Sequence, residues 1–500
     1  GNTSSPLNSS QNTPYSIAMN TDSRNKEYRL ITAADATVKI RKGLEFKTLG
    51  STYVNYTTGL NWWNANAEAD GVVNKGVFNN VTSIQLNSEN TLTYNKKIKD
   101  HTFTLLGGFT IQQSNIQRTQ VTGLNFANDN VRTLNNAAQI DKSGTTGYTN
   151  KIGLLSYLSR LNYDYQSKYI FSASFRTDGS SYFGSGRKWG TFPSVSAGWL
   201  VTKEKFMKDV HFIDKLKLRA SYGVSGNNRI LDFGYLDLLY PGNYVFGAGT
   251  GTVSPGQVSS ATIRSNPDIT WERTFQTNVG ADMGFLNNKL NVTLDYYLSR
   301  TDRLLLQQSS MAFTGVPYTW NNIGKLQNNG IELQLISNNI TSAKFKWTTT
   351  ANISHNKNKI LQLGNEAYLQ NQGECNELYQ NRVGYPLIQF YGFKTNGIWL
   401  SQAEIDQAIA GGLSSPFSNA FVPGQLKIVD IDGNHIIDNN DRTIIGSPYP
   451  DFIWGITNKL EFGAIDISFT FQGSQGGQLI NGDPNYDDVR KRVVSYTDNH

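Results

Sequence analysis

Over long stretches of this chain the apolar residues return at every second position, and nowhere is there a run of about 18 apolar residues. Leu290, Val292, Leu294, Tyr296 and Leu298 share one face, with Asn291, Thr293, Asp295, Tyr297 and Ser299 on the other. Ile465, Ile467, Phe469 and Phe471 oppose Asp466, Ser468, Thr470 and Gln472 in the same way, and Leu216, Leu218, Ala220 and Tyr222 oppose Lys217, Arg219 and Ser221. Side chains alternate across a strand, so each segment reads as a strand with one apolar and one wet face. A transmembrane helix is excluded, and a mean hydropathy of −0.42 excludes a helical membrane bundle. A membrane barrel stays open, because its strands hide their apolar face in alternation.

The period predicts fourteen strands, at about 27–40, 44–60, 79–97, 100–120, 150–166, 168–182, 191–202, 214–226, 271–286, 289–306, 323–337, 343–358, 451–463 and 464–473. Tight turns fall at Arg41-Lys42-Gly43, Lys99-Asp100, Gln166-Ser167-Lys168, Asn287-Asn288, Asn338-Asn339 and Gly463. Between them lie long Asn/Gly/Ser-rich segments at 61–78, 121–149, 227–270, 307–322 and 359–450. A meander with brief turns on one edge and long loops on the other is the layout of an outer-membrane barrel. The competing reading is a large soluble sandwich or propeller, but no repeat of about 40 residues marks propeller blades, and sandwich strands run nearer five or six residues. Helical pattern is scarce: Ser401 to Ala410 opens with a Ser and Glu404 at capping-box spacing, and Lys203 to Asp209 suits a single turn.

Composition narrows the partners. With 59 aromatic residues and only 17% charged, the chain is no linker or disordered tail. A net charge of +6 from 45 basic and 39 acidic residues, without a long Lys/Arg run, argues against nucleic acid. The single Cys375 forbids an internal disulfide and reads as incidental. Gly1 to Ser10 lack the basic start and apolar core of a secretory signal, as for a chain that is part of something longer.

Residues 171–207 read FSASFRTDGSSYFGSGRKWGTFPSVSAGWLVTKEKFM, and LKLRASYGVSGN follows at 216. This resembles the SusC/RagA family of TonB-linked outer-membrane proteins, in which Arg-x-Asp-Gly-Ser-Ser, Phe-Pro-Ser-x-Ser-x-Gly-Trp, Glu-x-Phe and Leu-Lys-Leu-Arg-x-Ser-Tyr-Gly occur in that order. Asn266-Pro267 with Trp271-Glu272, the strand Gly330-Ile331-Glu332-Leu333, and the stretch from Asp430 through Ile445-Gly446 to Pro450 and Gly455 continue the family order over about 280 residues. The resemblance implies a 22-stranded transmembrane antiparallel barrel with an internal plug, capped by a SusD-like surface lipoprotein, importing oligosaccharides or peptides with energy from TonB. Against that plan the chain shows fourteen strands, no recognisable plug or TonB box, and no strand with a terminal aromatic, so it is expected to be the middle and later barrel. On this reading 1–26 is a loop or disordered lead-in, 27–358 are barrel strands, and 359–450 is a long extracellular segment with a short helix and a calcium-type loop. A barrel hairpin at 451–473 and a loop at 474–500 follow. The segments 121–149, 227–270 and 359–450 face outward, and the aromatic stretch 384–399 is expected to dock the SusD-like partner.

No enzyme machinery is visible. The five histidines, at 101, 211, 355, 435 and 500, lack zinc spacing, no Gly-x-Ser-x-Gly elbow occurs, and Gly247, Gly249 and Gly251 sit in a flexible loop rather than between strand and helix. Loop aromatics Trp62, Trp63, Tyr240, Tyr244, Phe246, Tyr318 and Trp320 are the candidates for cargo contact, since flat rings stack on sugars and pack on peptide side chains. Their alternative role is an interfacial girdle or loop packing. Arg160, Asp164, Arg176, Lys217, Arg219, Asp282, Asp295 and Glu332 fall on the polar strand faces, where opposite charges would pair inside a barrel. Besides import, a surface binding protein or adhesin on a passive barrel fits the same pattern.

The stretch DIDGNHIIDNND places Asp430, Asp432, Asn434, Asp438 and Asp441 at positions 1, 3, 5, 9 and 12 of a twelve-residue loop, with the Ile436 carbonyl at position 7. That is the ligand spacing of an EF-hand-type loop, and it predicts a weak structural calcium site. Position 6 is His435 instead of Gly, and position 12 is Asp instead of the longer Glu. An Asx-rich turn held by side-chain to backbone bonds is the alternative.

Overall fold

In the computed structural model of the chain, residues 4–5, 8–12, 14–65, 67, 73–229, 232–237, 239–246, 252–259, 263–309, 316–373, 377–418 and 420–480 are described. Fourteen strands form one antiparallel path in strict chain order. They are β1 (Thr21–Arg41), β2 (Leu44–Trp63), β3 (Lys75–Ile98), β4 (His101–Phe126), β5 (Ala137–Tyr165), β6 (Tyr169–Ser180), β7 (Trp189–Leu200), β8 (Ile213–Asn227), β9 (Glu272–Phe285), β10 (Leu290–Ser309), β11 (Tyr318–Thr341), β12 (Phe345–Leu363), β13 (Phe452–Phe462) and β14 (Ile465–Gln475). Each strand expected from the alternation has its counterpart. Among the described residues β1 and β14, the two ends of the path, do not pair with each other, so these strands make an open stretch of barrel wall.

Register carries the two faces from strand to strand. Leu218 stands opposite Trp199 and Ala281, and Ala281 opposite Leu294, so the apolar positions align into one surface. One residue along, Arg219 stands opposite Gly198 and Gly280, and Gly280 opposite Asp295, which aligns the polar positions on the other side. The apolar face is uncovered: Val279 is 53% and Phe471 61% exposed. An apolar surface of that extent is not stable in water and belongs against lipid. Aromatic rings gather at its two margins. His101, Phe103, Tyr163, Tyr165 and Tyr169 lie in mutual contact near the short turns, while Tyr28–Tyr56 and Tyr157–Trp189 stack toward the other end. These are the interfacial girdles of a membrane barrel.

The short-turn edge is tightly built. Gly43 turns at φ +81°, and a Cβ there would collide with the Asn95 carbonyl, so the β1–β2 turn depends on glycine. The expected helical turn after β7 is two 3₁₀ turns, Val201–Lys203 and Lys205–Met207, with Glu204 between them. Its carboxylate accepts from Lys168 Nζ at 2.5 Å, the Tyr169 hydroxyl at 2.7 Å and Trp199 Nε1 at 3.0 Å. Glu204 thereby ties the β5–β6 turn to the β7–β8 turn. The Lys168 ammonium and the Tyr169 hydroxyl pull its carboxyl down to about 2.

At the other end the strands outrun the bilayer. β1 to β5 hold 21, 20, 24, 26 and 29 residues, where roughly nine to eleven cross obliquely. This corrects the expected loop at 121–149: β4 runs to Phe126 and β5 starts at Ala137, leaving 127–136. The stretch reads as loop because above the bilayer both faces meet water and the alternation fades, while the backbone ladder from Gln120–Thr146 to Phe126–Ala137 continues past one register shift. The expected lead-in at 1–26 likewise holds a helix at Pro14–Asn20 and the opening residues of β1, from Thr21 on. The segment after β12 contains a four-stranded sheet of Tyr368–Gln372, Leu378–Arg382, Gln389–Phe393 and Arg442–Gly446. It also holds the pair Thr395–Ile398 and Leu426–Ile428, and the helix Gln402–Ala410. That helix is capped as its sequence predicts: Glu404 N donates to Ser401 Oγ, and Leu400 N to the Glu404 carboxylate.

The two faces make opposite demands on a charge. We expect Val279→Arg, placed against lipid, to destabilise the barrel by about 2–4 kcal/mol, and Asn278→Arg on the wet face to cost less than 1. Urea unfolding of the intact receptor from lipid vesicles measures both; equal losses would mean the faces are assigned wrongly.

Candidate functional site

The wet face and the long-loop end hold the polar and aromatic groups that cargo could meet. On the wet face, Arg219 Nη2 lies 2.9 Å from Asp282 and 3.0 Å from Asp295. Room for this triad comes from Gly280, where a Cβ would strike the Asp295 carboxylate. Arg176 bonds Asp178 at 2.7 Å and Ser156 Oγ at 3.0 Å on the same face, whereas the Arg273–Asp302 pair, at 2.8 Å, alternates onto the face of Phe275 and Val279. Of the other charges expected inside, Lys217 stands opposite Asp282 and Glu332 opposite Asp295, Asp164 accepts the Ser167 amide at the turn, and Arg160 is exposed. Together they make a wall of compensated charges.

The aromatic candidates separate. Trp62 is 1% exposed: its Nε1 donates to Asn64 Oδ1 at 2.7 Å, Phe126 meets it edge-on at 4.6 Å, and the Arg132 guanidinium lies 5.2 Å from its ring. It is a packing residue in this structure. Trp63, on the opposite face by alternation, is half-buried, with the Lys75 ammonium 5.5 Å from its ring. Trp320 packs on a core of Phe183, Phe192, Ile269 and Trp271, and Tyr318 is exposed beside it in the chain. Tyr240, Tyr244 and Phe246 belong to the strand Leu239–Phe246, paired with Thr252–Ser259, but their side chains lie outside the described residues, as do Cys375 and the Gly247–Gly251 stretch.

That aromatic core is what the quoted motifs build together. Phe192 comes from Phe-Pro-Ser, Trp271 from Trp-Glu, and Ile269 from just beyond Asn266-Pro267. Trp271 Nε1 donates to the Lys188 carbonyl at 2.8 Å, and Asn266 Nδ2 to the Trp320 carbonyl at 2.8 Å. The knot thus fastens the β6–β7 loop, the start of β9 and the start of β11. Its pairing could not be read from spacing, because its members, with Trp320, come from three separate parts of the chain.

In the 430–441 loop three carboxylates, of Asp430, Asp432 and Asp441, converge within 4.8 Å of one another. His435 adopts φ +62° and Gly433 φ +72°, which bends the chain around Asp430. Asp430 accepts the Gly433 amide at 2.7 Å and the His435 amide at 2.9 Å. Burial pushes its carboxyl up, but the amides of His435, Gly433 and Asn434 outweigh it and leave it below the usual range. Asn434 turns its amide nitrogen to Asp432 at 3.0 Å and its oxygen to the Ile436 amide at 2.6 Å. Asp438 caps the 3₁₀ turn Asn439–Asp441 through the Asn440 amide, and the neighbouring main chain of Ile436 bridges to Ser414. Three acids therefore meet, and two of them, Asp430 and Asp441, also hold the turn with Asn434 and Asp438 by accepting main-chain amides.

An uncovered apolar belt, a wet inner face of paired charges and a long-loop end with its own small sheet define an outer-membrane β-barrel receptor. The family profile described as TonB dependent receptor-like, beta-barrel, matches residues 1–404, and the chain belongs to that family. TonB-dependent receptor P39 of Formosa agariphila is 34% identical over 487 residues, covering 91% of this chain and 45% of that protein. TonB-dependent receptor SusC of Bacteroides thetaiotaomicron is 32% identical over 344 residues, covering 66% of this chain and 32% of its own. The RagAB peptide transporter shares the fold at a TM-score of 0.78 and 22% identity, over 94% of this chain and 50% of the other. The chain thus spans less than half the length of the curated relatives it matches, and it is outer-membrane barrel wall.

Asp441 is fully buried and accepts the Ile431 amide at 2.7 Å and the Asp438 amide at 2.8 Å. Asp441→Ala leaves both donors without a partner, and we expect it to loosen the loop by about 1–3 kcal/mol. Hydrogen exchange at 430–438 reads this directly; unchanged protection would show that the carboxylate does not hold the turn.

Proposed function

We propose that this chain forms wall and outer loops of a receptor that imports oligosaccharides or peptides across the outer membrane, driven by TonB and capped by a SusD-like lipoprotein. The single observation carrying this is a wet, charge-compensated inner face that continues far beyond the bilayer as β1 to β5, which makes a lined vestibule instead of a plain pore. Kinship with SusC, and the fold shared with a transporter of peptides, support it. Cargo would meet Trp63 and Tyr318 more readily than Trp62 or Trp320, which are engaged in packing. The partner would seat on the 384–399 stretch, where Tyr385, Ile388 and Ile398 are exposed while Phe390 and Trp399 pack inward. Cells carrying the intact receptor should take up labelled cargo only with TonB and a membrane potential. Uptake unaffected by loss of TonB, with steady conductance in planar bilayers, would favour the passive binding protein.

The 430–441 loop is proposed as a structural calcium site. Three converging carboxylates repel one another, and a hard cation collecting their oxygens offsets that repulsion. Asp430, Asp432 and Asp441 would be ligands together with the Ile436 carbonyl; Asn434 and Asp438 would join only by leaving their present bonds. Millimolar calcium should protect residues 425–445 of the intact receptor from protease, and Asp432→Ala should abolish the protection. Identical cleavage with and without calcium leaves only an Asx turn.

A further inference from the structure

On the inner face of the wall, Arg118 of β4 stands opposite Val81 of β3 and Tyr148 of β5. Asn79 lies two residues from Val81 on the same face, and Asn55 of β2 stands opposite Ser83, two residues the other way. Register from the Arg219 triad, through Ile170 and Asp164 to Thr102, puts all of these on the wet side. Arg118 is 17 residues along β4 from His101, so in a strand tilted as barrel strands are it stands about 40 Å above the short-turn end. An apolar band of about 25 Å leaves that position in the vestibule, outside the bilayer.

This guanidinium is incompletely used. Nη2 donates to Gln120 Oε1 at 3.0 Å, but Nε, shut off from solvent, has no hydrogen-bond partner. The Oδ1 atoms of Asn55 and Asn79 are enclosed and unpartnered as well. Among the described residues no carboxylate lies within 4.0 Å of Arg118, whereas Arg29 with Glu27 and Lys47 with Asp35, elsewhere on the same wall, are paired. An enclosed donor or acceptor without a partner is costly, and this guanidinium has neither a carboxylate nor a full set of acceptors from the chain. The residue as a whole is half-buried, so part of its side chain meets the vestibule. A fork of that kind matches a carboxylate through two parallel N–H donors. Tyr148, 52% exposed and in register with Arg118, offers a ring face for the rest of the molecule.

We propose that Arg118, with Gln120 beside it on β4 and Tyr148 opposite it on β5, forms a vestibule subsite that takes a carboxylate group of the cargo. The assignment rests on the import reading and adds the charge class of what is imported. A free carboxylate can come from a peptide or from a uronic-acid saccharide, and the test separates the two. The intact receptor in detergent is titrated with mixed-sequence tripeptides in free-acid and amidated form, and with oligogalacturonate and its methyl ester. In at least one pair the acid should bind about tenfold or more tighter than its neutral counterpart. Arg118→Gln should erase that difference while leaving the neutral probe unchanged, and Arg118→Lys should keep part of it. The pair in which this happens names the source. Failure of the wild type to prefer an acid in either pair would overturn the proposal, as would an equal loss for acid and neutral probes in a variant that keeps the heat-modifiable migration of a folded barrel. Equilibrium binding needs neither TonB nor a membrane potential, so absent uptake in cells would sink the import reading without touching this result.

Discussion

In hydrocarbon a backbone N–H or C=O has no water to bond, so a strand in this wall is stable only with a neighbour on each side. The other features of the chain follow from that ladder. Pairing in strict chain order lets each strand find its neighbour through a turn of a few residues, and it fixes register across the sheet. Register in turn decides which residues see lipid. A slip of one position between β8 and β9 would bury Val279 in the lumen and turn Asp282 toward acyl chains. The Arg219 triad opposes such a slip, because Arg219 reaches Asp282 and Asp295 together only in the observed alignment.

The two ends of the wall are secured by different means. At the short-turn edge a single carboxylate, Glu204, gathers an ammonium, a phenol and an indole from two turns, and charge-assisted bonds of this kind are the strong ones. At the far end no comparable hub exists among the described residues. There the aromatic knot of Phe183, Phe192, Ile269 and Trp271 fixes three loop roots by packing, and the buried Asn74 exchanges hydrogen bonds with the Phe126 main chain. A tight base and a loop-bearing rim suit a wall whose outer end has to admit something large.

How much of this was legible in the sequence depended on which solvent each residue faces. Where lipid lies outside and water inside, alternation is strong, and the strands from Leu290 to Leu298 and from Ile465 to Phe471 stand out in the letters alone. Beyond the bilayer water lies on both sides, selection for an apolar face disappears, and Thr122 to Phe126 and Ala137 to Thr146 read as loop although they belong to paired strands. The motif residues were visible but their partnerships were not. Glu204 and Trp271 sit 67 positions apart in motifs that keep only local order, and their contacts, to Lys168 and Phe192, come from the fold. The 430–441 spacing was legible as oxygen ligands, yet which side chains converge and which hold turn bonds, Asp430 and Asp441 doing both, spacing cannot distinguish.

Arg118 shows why the most informative position carried no signal at all. It lies in a polar stretch, SNIQRTQ, where nothing in the letters separates it from a solvated surface arginine. Its distinction is negative and three-dimensional: an enclosed Nε without a partner and no carboxylate in reach, on a wall where Arg29 and Lys47 are paired. A folded chain normally removes such defects, since each costs stability and a single Asp on β3 or β5 would cure this one. A defect placed on the inner face, above the membrane, weakens the barrel where the ladder alone already holds it. The same defect leaves the guanidinium with capacity for a ligand that comes and goes, which a paired arginine such as Arg219 has not.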